Sequence, residues 1–226
     1  MTDLTIIPDL HADATRLETC LAESDGRKVA FLGDFIDAGK ATVVADDLAV
    51  LRRVKTLIDN ESAVSVLGNH ELNAILFHRK DKLGAPLRKH APKNVIQHAS
   101  FLDQIGYGTP AAMYWTEWFL TLPLWIEKDG IRLVHACWDH SAIQVVKERR
   151  PDGRLHHEDL EEVAAKKTPF ARAVELLTSG PEVQLPEGYQ FHDMKGEPRR
   201  QVRIAWWLAR GGRWRDVALS VNNVGE

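Results

Sequence analysis

Three short apolar runs, each ending in a polar cluster, organise the amino-terminal half of the chain. Leu4-Thr5-Ile6-Ile7 closes at Pro8 and leads into Asp9-Leu10-His11. Lys28-Val29-Ala30-Phe31-Leu32 closes at Gly33 and leads into Asp34-Phe35-Ile36-Asp37. Ala63-Val64-Ser65-Val66-Leu67 closes at Gly68 and leads into Asn69-His70-Glu71. Such runs, bounded by turn formers, read as buried strands. Helical patterns lie between them. Residues 13–24 carry Leu17, Cys20 and Leu21 at helical spacing behind Asp13, a candidate cap. Residues 41–58 put Val44, Leu48, Leu51, Val54 and Ile58 on one stripe. Strands alternating with helices predict an α/β fold with a parallel sheet and right-handed crossovers. Ligands of such sheets bind at the carboxyl ends of the strands, where all three polar clusters fall.

Past Glu71 the pattern changes. Residues 72–78 look helical, 81–93 are basic and broken by Gly84, Pro86 and Pro92, and residues 95–105 and 113–122 give two further helical patterns. The region from about 72 to 122 therefore reads as a helical insertion over the carboxyl edge of the sheet. Leu124-Trp125-Ile126-Glu127 and Ile131-Arg132-Leu133-Val134, joined by Lys128-Asp129-Gly130, predict a β-hairpin whose second strand ends at His135. Residues 158–167 and 169–177 look helical, and 180–197 are rich in turn formers. Residues 199–210 read as a helix with Ile204, Trp207 and Leu208 on its apolar side, followed by a last strand over 214–221.

Bulk properties narrow the class without choosing a function. The 226 residues suit a single domain with a large core. A formal net charge of −3 gives no basic field and argues against nucleic acid as a partner. Two distant cysteines, Cys20 and Cys137, suit buried thiols in a reducing compartment. No basic, then apolar, leader opens the chain, and no run is long enough to span a bilayer. A cytoplasmic protein with no membrane partner is the expectation.

The strand-end residues carry chemistry. Asp9 and His11, two apart in an extended segment, point to the same side and can share a divalent cation. Asp34 has two oxygens and can bridge two cations about 3.5–4 Å apart. Asn69 offers an amide oxygen and His135 a ring nitrogen for the second ion. His70 suits a general acid, and Asp37 can hold its tautomer. Each has a structural alternative: a strand-end turn for Asp9 and His11, helix capping for Asp34 and Asp37, a left-handed turn for Asn69-His70, a core histidine for His135. Glu71 reads as a structural hydrogen-bonding group. Arg199, Arg203 and Arg210 share roughly one helical face and suit either phosphate binding or plain solvation. Trp115, Trp118 and Trp206-Trp207 read as core.

Asp-x-His, Gly-Asp-x-x-Asp, Gly-Asn-His-Glu and a later strand-end histidine, in that order, resemble the calcineurin-like metallophosphoesterase superfamily, in its branch of phosphoprotein phosphatases and diadenosine tetraphosphatase-like enzymes. The resemblance spans residues 9 to 135. It implies a double β-sandwich flanked by helices and two divalent metal ions (Mn, Fe or Zn). Asp9, His11, Asp34, Asn69 and His135 match metal ligands, and His70 and Asp37 match the catalytic pair. The implied reaction is attack on phosphorus by a metal-bound hydroxide, on a phosphorylated small molecule, a nucleotide or a phosphoprotein. Three departures stand out. Pro8 and Ala12-Asp13 replace glycines, which is expected to be tolerated. Ala38-Gly39 replaces a phosphate-gripping arginine. The late Gly-His motif is missing, so the carboxyl-terminal part is either truncated or another group, such as His192, completes the second site. The alternative is a catalytically impaired metal- or phosphate-binding protein.

Overall fold

The computed structural model describes residues 4–192, 198–208 and 214–219, which fall into two compact units, Met1–Thr178 and Ser179–Glu226. In the first, the three apolar runs form strands β1 (Leu4–Ile7), β2 (Lys28–Phe31) and β3 (Ala63–Ser65). They pair in parallel in the order β1-β2-β3, with Ile7 beside Phe31 and Phe31 beside Ser65. That register brings the three polar clusters to one edge of the sheet. Helices α1 (Ala14–Glu23) and α2 (Asp47–Asp59) are the crossovers, and Leu17, Val50, Leu51 and Val54 join Ile7, Val29 and Phe31 in one core. Asp13 and Asp46 cap them by accepting from the amides of Arg16 and Ala49, each cap contributing about 1 kcal/mol.

Helix α2 begins at Asp47 rather than near residue 41, and Val44, expected on its apolar stripe, is 76% exposed. The reason is Asp46, whose amide donates to the Ala12 carbonyl while its carboxylate caps the helix. Residues 38–46 are thereby held as a loop beside the end of β1.

Helix α3 (Asn69–His78) starts inside the third cluster rather than at Leu72, with Gly68 as its N-cap. The single helix expected over 95–105 is two, α4 (Pro92–Gln97) and α5 (Ala99–Ile105), meeting at His98. Helix α6 (Pro110–Leu120), capped by Thr109, packs on α3 and buries Trp115 and Trp118 as expected, the latter stacked on Phe35. The hairpin β4 (Trp125–Lys128) and β5 (Ile131–Val134) forms as read, its turn carried by the left-handed residues Asp129 and Gly130. Leu133 of the hairpin packs on Ala30 and Val66, covering the sheet face opposite the main core. Helix α7 (His140–Lys147), absent from the sequence reading, follows, and then a 3-10 turn at His157–Asp159, α8 (Leu160–Ala165) and α9 (Pro169–Ser179). Cys137 is buried as expected, and burial pushes its thiol up to about 11.

The second unit holds two antiparallel pairs, β6 (Glu182–Gln184) with β9 (Gln201–Arg203) and β7 (Phe191–His192) with β8 (Pro198–Arg199). The helix expected over 199–210 does not form over its described residues, 199–208. Gln201 and Arg203 are exposed around buried Val202, a period of two that belongs to a strand. Arg199 and Arg203 therefore sit on different strands and not on one helical face, and His192 lies on β7. Trp207, expected in the core, is 58% exposed in a 3-10 turn at Trp206–Leu208. Trp214–Val217 is a helical turn, α10, rather than a strand, and Ala218 bridges to Ile204. Arg210, Arg213 and Val221 lie outside the described residues. No helix among the described residues is long and apolar enough to cross a membrane.

Candidate metal centre

The first strand end does not stay extended. His11 and Ala12 have φ of 48° and 59°, so Asp9 and His11 are brought together by a left-handed turn and not by strand alternation. The turn is stitched to the next strand end: the amides of Leu10 and His11 both donate to the Asp34 carbonyl at 2.9 Å, and Ala12 donates to the Phe35 carbonyl at 2.8 Å. Asp34 and Asp37 are left-handed too, with φ of 53° and 65°. Each such residue costs about 1–2 kcal/mol, which the interlocking hydrogen bonds here offset.

Glu71 is the central fastener. Its buried carboxylate accepts from the amides of Phe35 and Asp34, both at 2.8 Å, and of Gly68 at 3.2 Å. This is the structural role read from the sequence. Burial, joined by the Asp34 charge, raises its pKa to about 7 against the pull of those backbone bonds. The His70 amide in turn donates to Asp34 Oδ1 at 2.9 Å. The Asp37 amide is held by Asp47 Oδ1, another buried carboxylate, at 2.9 Å.

Around Asp34 the donors converge. His11, Asp34 and His70 form one group whose ligand atoms lie within 4.8 Å of one another, and Asp9, Asp34 and His135 form a second. Asp34 is common to both. His135 Nδ1 donates to the Leu32 carbonyl at 2.6 Å, which turns the lone pair of Nε2 toward Asn69 Oδ1 at 2.9 Å and Asp34 Oδ2 at 3.6 Å. Three acceptors facing one another repel unless a cation lies among them, so carboxylate, imidazole and amide oxygen here fit divalent metal ions. All five expected ligands, Asp9, His11, Asp34, Asn69 and His135, are thus brought to one place.

His70 and Asp37 meet as well. His70 Nδ1 donates to Asp37 Oδ2 at 2.8 Å, and Nε2 faces Asp34 Oδ2 at 3.9 Å. Burial opposes a charge on His70, but the Asp37 hydrogen bond and the charges of Asp34, Asp37 and Glu71 prevail and push its pKa up to about 9. Asp37 has a second partner that sequence reasoning missed: His98 Nδ1 donates to Oδ1 at 2.6 Å. Behind it, His78 Nδ1 accepts from the Gly108 amide at 3.2 Å, so its Nε2–H donates to His98 Nε2 at 3.1 Å. Burial and the neighbouring positive groups hold the His78 pKa down near 4, which keeps it in that neutral form. Burial opposes the Asp37 charge, and its two histidines outweigh it and lower the pKa. His98 lies 61 residues from Asp37, too far for any local pattern to mark it.

A parallel sheet with helical crossovers thus carries a histidine–aspartate donor cluster at its edge, a candidate metal-binding site. A family model described as calcineurin-like phosphoesterase matches residues 3–198, and the chain belongs to that family. It is also 30% identical over 131 residues to a protein of Ralstonia nicotianae named symmetrical bis(5'-nucleosyl)-tetraphosphatase. That match covers 58% of this chain and 40% of the relative's length.

Proposed function

We propose that the protein is a metal-dependent hydrolase of phosphoric esters, acting on a phosphomonoester or a nucleotide polyphosphate. The observation that carries this reading is the His70–Asp37 pair at 2.8 Å beside donor groups that share Asp34. His11 and Asp34 would hold one divalent cation with Asp9, whose Oδ2 lies 3.9 Å from His11 Nε2 although Asp9 also falls in the group with Asp34 and His135. Asp34, Asn69 and His135 would hold a second. Such ions supply Lewis-acid stabilisation of phosphate oxygens and lower the pKa of water. The side chains do the rest. His70 donates from Nε2 to the leaving oxygen, and Asp37 keeps Nδ1 protonated so that Nε2 is the working atom. His98 holds Asp37 in place. The helices between residues 72 and 122, which supply His78 and His98, act as an insertion over the site. The hairpin on the sheet's second face supports the family's double β-sandwich.

The test is hydrolysis of p-nitrophenyl phosphate and of a dinucleoside tetraphosphate by the Mn²⁺-loaded protein, with His70→Ala beside it. The variant is expected to lose turnover while retaining metal; full activity would sink the assignment. Because His70 also falls in the group with His11 and Asp34, metal content of the variant separates a proton donor from a ligand.

A second reading is a catalytically impaired metal- or phosphate-binding protein. It draws on the three-membered donor groups, both of which depend on Asp34. Metal analysis by mass spectrometry decides: about two ions per chain supports the enzyme, one or none the impaired form.

A further inference from the structure

Arg88 is a cation without an anion. Its Nη2 donates to Gln97 Oε1 at 2.8 Å and Asn94 Oδ1 at 3.2 Å, both neutral amides on α4, and no carboxylate among the described residues pairs with it. The backbone is fixed as well, since its amide donates to the Leu76 carbonyl at 2.9 Å. Nε and Nη1 make no hydrogen bond to the described residues, and neither is buried without a partner, so that edge of the guanidinium opens to solvent. The cation is half-buried, and burial lowers its pKa despite the nearby Asp37 charge. A guanidinium that burial disfavours and two amides orient is a preorganised anion receptor.

Gln97 links Arg88 to the candidate site. An arginine has no acceptor, so the oxygen of the Gln97 amide must face Arg88 and its nitrogen must face away. That nitrogen lies 3.3 Å from His70 Nε2 and donates to it when the ring is neutral with its Nδ1–H on Asp37. Arg88 is therefore one amide group removed from the atom assigned to protonate the leaving oxygen.

We infer that Arg88 is an anion subsite for the leaving group, built for substrates whose leaving group is itself a phosphate, such as nucleoside polyphosphates. This rests on the hydrolase reading above and deepens it. When the bond from the attacked phosphorus to the bridging oxygen breaks, that oxygen takes the proton from His70. Water supplies the oxygen that stays on phosphorus, and its proton restores His70. Negative charge grows on the departing phosphate, where a preorganised guanidinium lowers the barrier. An aryl or alkyl leaving group presents no anion for Arg88 to bind.

The test compares kcat/KM of the Mn²⁺-loaded full chain for a dinucleoside tetraphosphate with that for p-nitrophenyl phosphate. Arg88→Met is expected to lower the ratio of the two on the order of tenfold to a hundredfold, the worth of charge-assisted hydrogen bonds. If Arg88→Met unfolds, Arg88→Lys, which keeps the charge and loses the fork, is expected to lower the ratio severalfold. An unchanged ratio, or equal losses on both substrates, would overturn the inference. Calorimetric titration of the metal-free protein with inorganic tripolyphosphate gives a readout without turnover: Arg88→Met is expected to bind at least tenfold more weakly, and equal affinity would overturn the subsite. Should the wild type bind tripolyphosphate through Arg88 yet hydrolyse neither ester, the hydrolase reading fails and the anion subsite stands.

Discussion

Gly33 and Gly68 meet back to back where β2 and β3 leave the sheet. A Cβ added to Gly33 would lie 2.5 Å from the Gly68 nitrogen, and one added to Gly68 would fall onto Asp34 and within 2.6 Å of Glu71 Oε2. Gly68 has an ordinary φ of −88°, so space and not backbone freedom requires glycine there. Gly68→Ala is expected to destabilise the metal-free protein by about 1–3 kcal/mol, the cost of overpacking, and to weaken metal binding by displacing Asp34. Urea unfolding and metal titration check both effects.

Glu71→Gln tests the fastener. The amide keeps the shape but turns an NH2 toward at least one backbone N–H, leaving a buried donor unpaired. A loss of about 1–3 kcal/mol is expected, together with weaker metal binding. A variant as stable as the parent in urea would refute the clamp.

His98→Phe removes one hydrogen bond from the buried Asp37 and leaves the aromatic packing against Phe101 in place. Supports of this kind, acting through another residue, change activity by about 10–100-fold. The fall is expected in kcat with KM nearly unchanged, because His98 touches Asp37 and not the substrate. A loss confined to KM would contradict it. Imidazole ¹⁵N spectra of the parent should show His98 protonated on Nδ1 and His78 on Nε2.

The pH dependence has a definite sign. His70, folded at about 9 against an ordinary 6.5, stabilises the metal-free fold fully below pH 6.5 and loses that contribution as pH rises through 9. At about 1.4 kcal/mol per pKa unit this is on the order of 3 kcal/mol. Glu71, raised from 4.5 to about 7, acts in the same direction, its ionisation disfavouring the fold across that interval. Asp37, lowered from 3.8, contributes above its ordinary value and fails only as pH falls through its folded one. Urea unfolding of metal-free protein should therefore show stability declining from pH 6.5 to 9. Added divalent cation should flatten the decline and release protons, because it neutralises the Asp34 charge that raises both groups. A stability that increases over that range would contradict the assignment.

The strand ends were readable because each is a local event: an apolar run, a turn former and a polar cluster within about ten residues. The hairpin was readable for the same reason, through Asp129-Gly130. Residues 41–46 misled because Val44 fits a helical stripe, while the competing cap at Asp46 takes effect only through its bond to Ala12. Around Arg199, the helical spacing of Ile204, Trp207 and Leu208 outweighed the short alternation of Gln201-Val202-Arg203, and tertiary pairing with β6 decided for the strand. Helix α7 was missed although Asp139 caps it at the Ala142 amide, because its buried residues Ala142, Ile143 and Val146 are an apolar set too short to stand out. His98 and Arg88 had no sequence signature at all. Their roles exist only once α4 and α5 fold back over the ends of β2 and β3.

Asp34 spends its atoms on separate stretches of chain. Its carbonyl receives Leu10 and His11, its amide serves Glu71, one carboxylate oxygen receives His70 and the other faces the imidazoles. All of these bonds depend on the one left-handed backbone at Asp34. Local unfolding here is thus expected to be cooperative: the amides of Leu10, His11 and His70 should exchange with solvent as one opening unit. The candidate site is therefore expected to open and close as a whole rather than one strand end at a time.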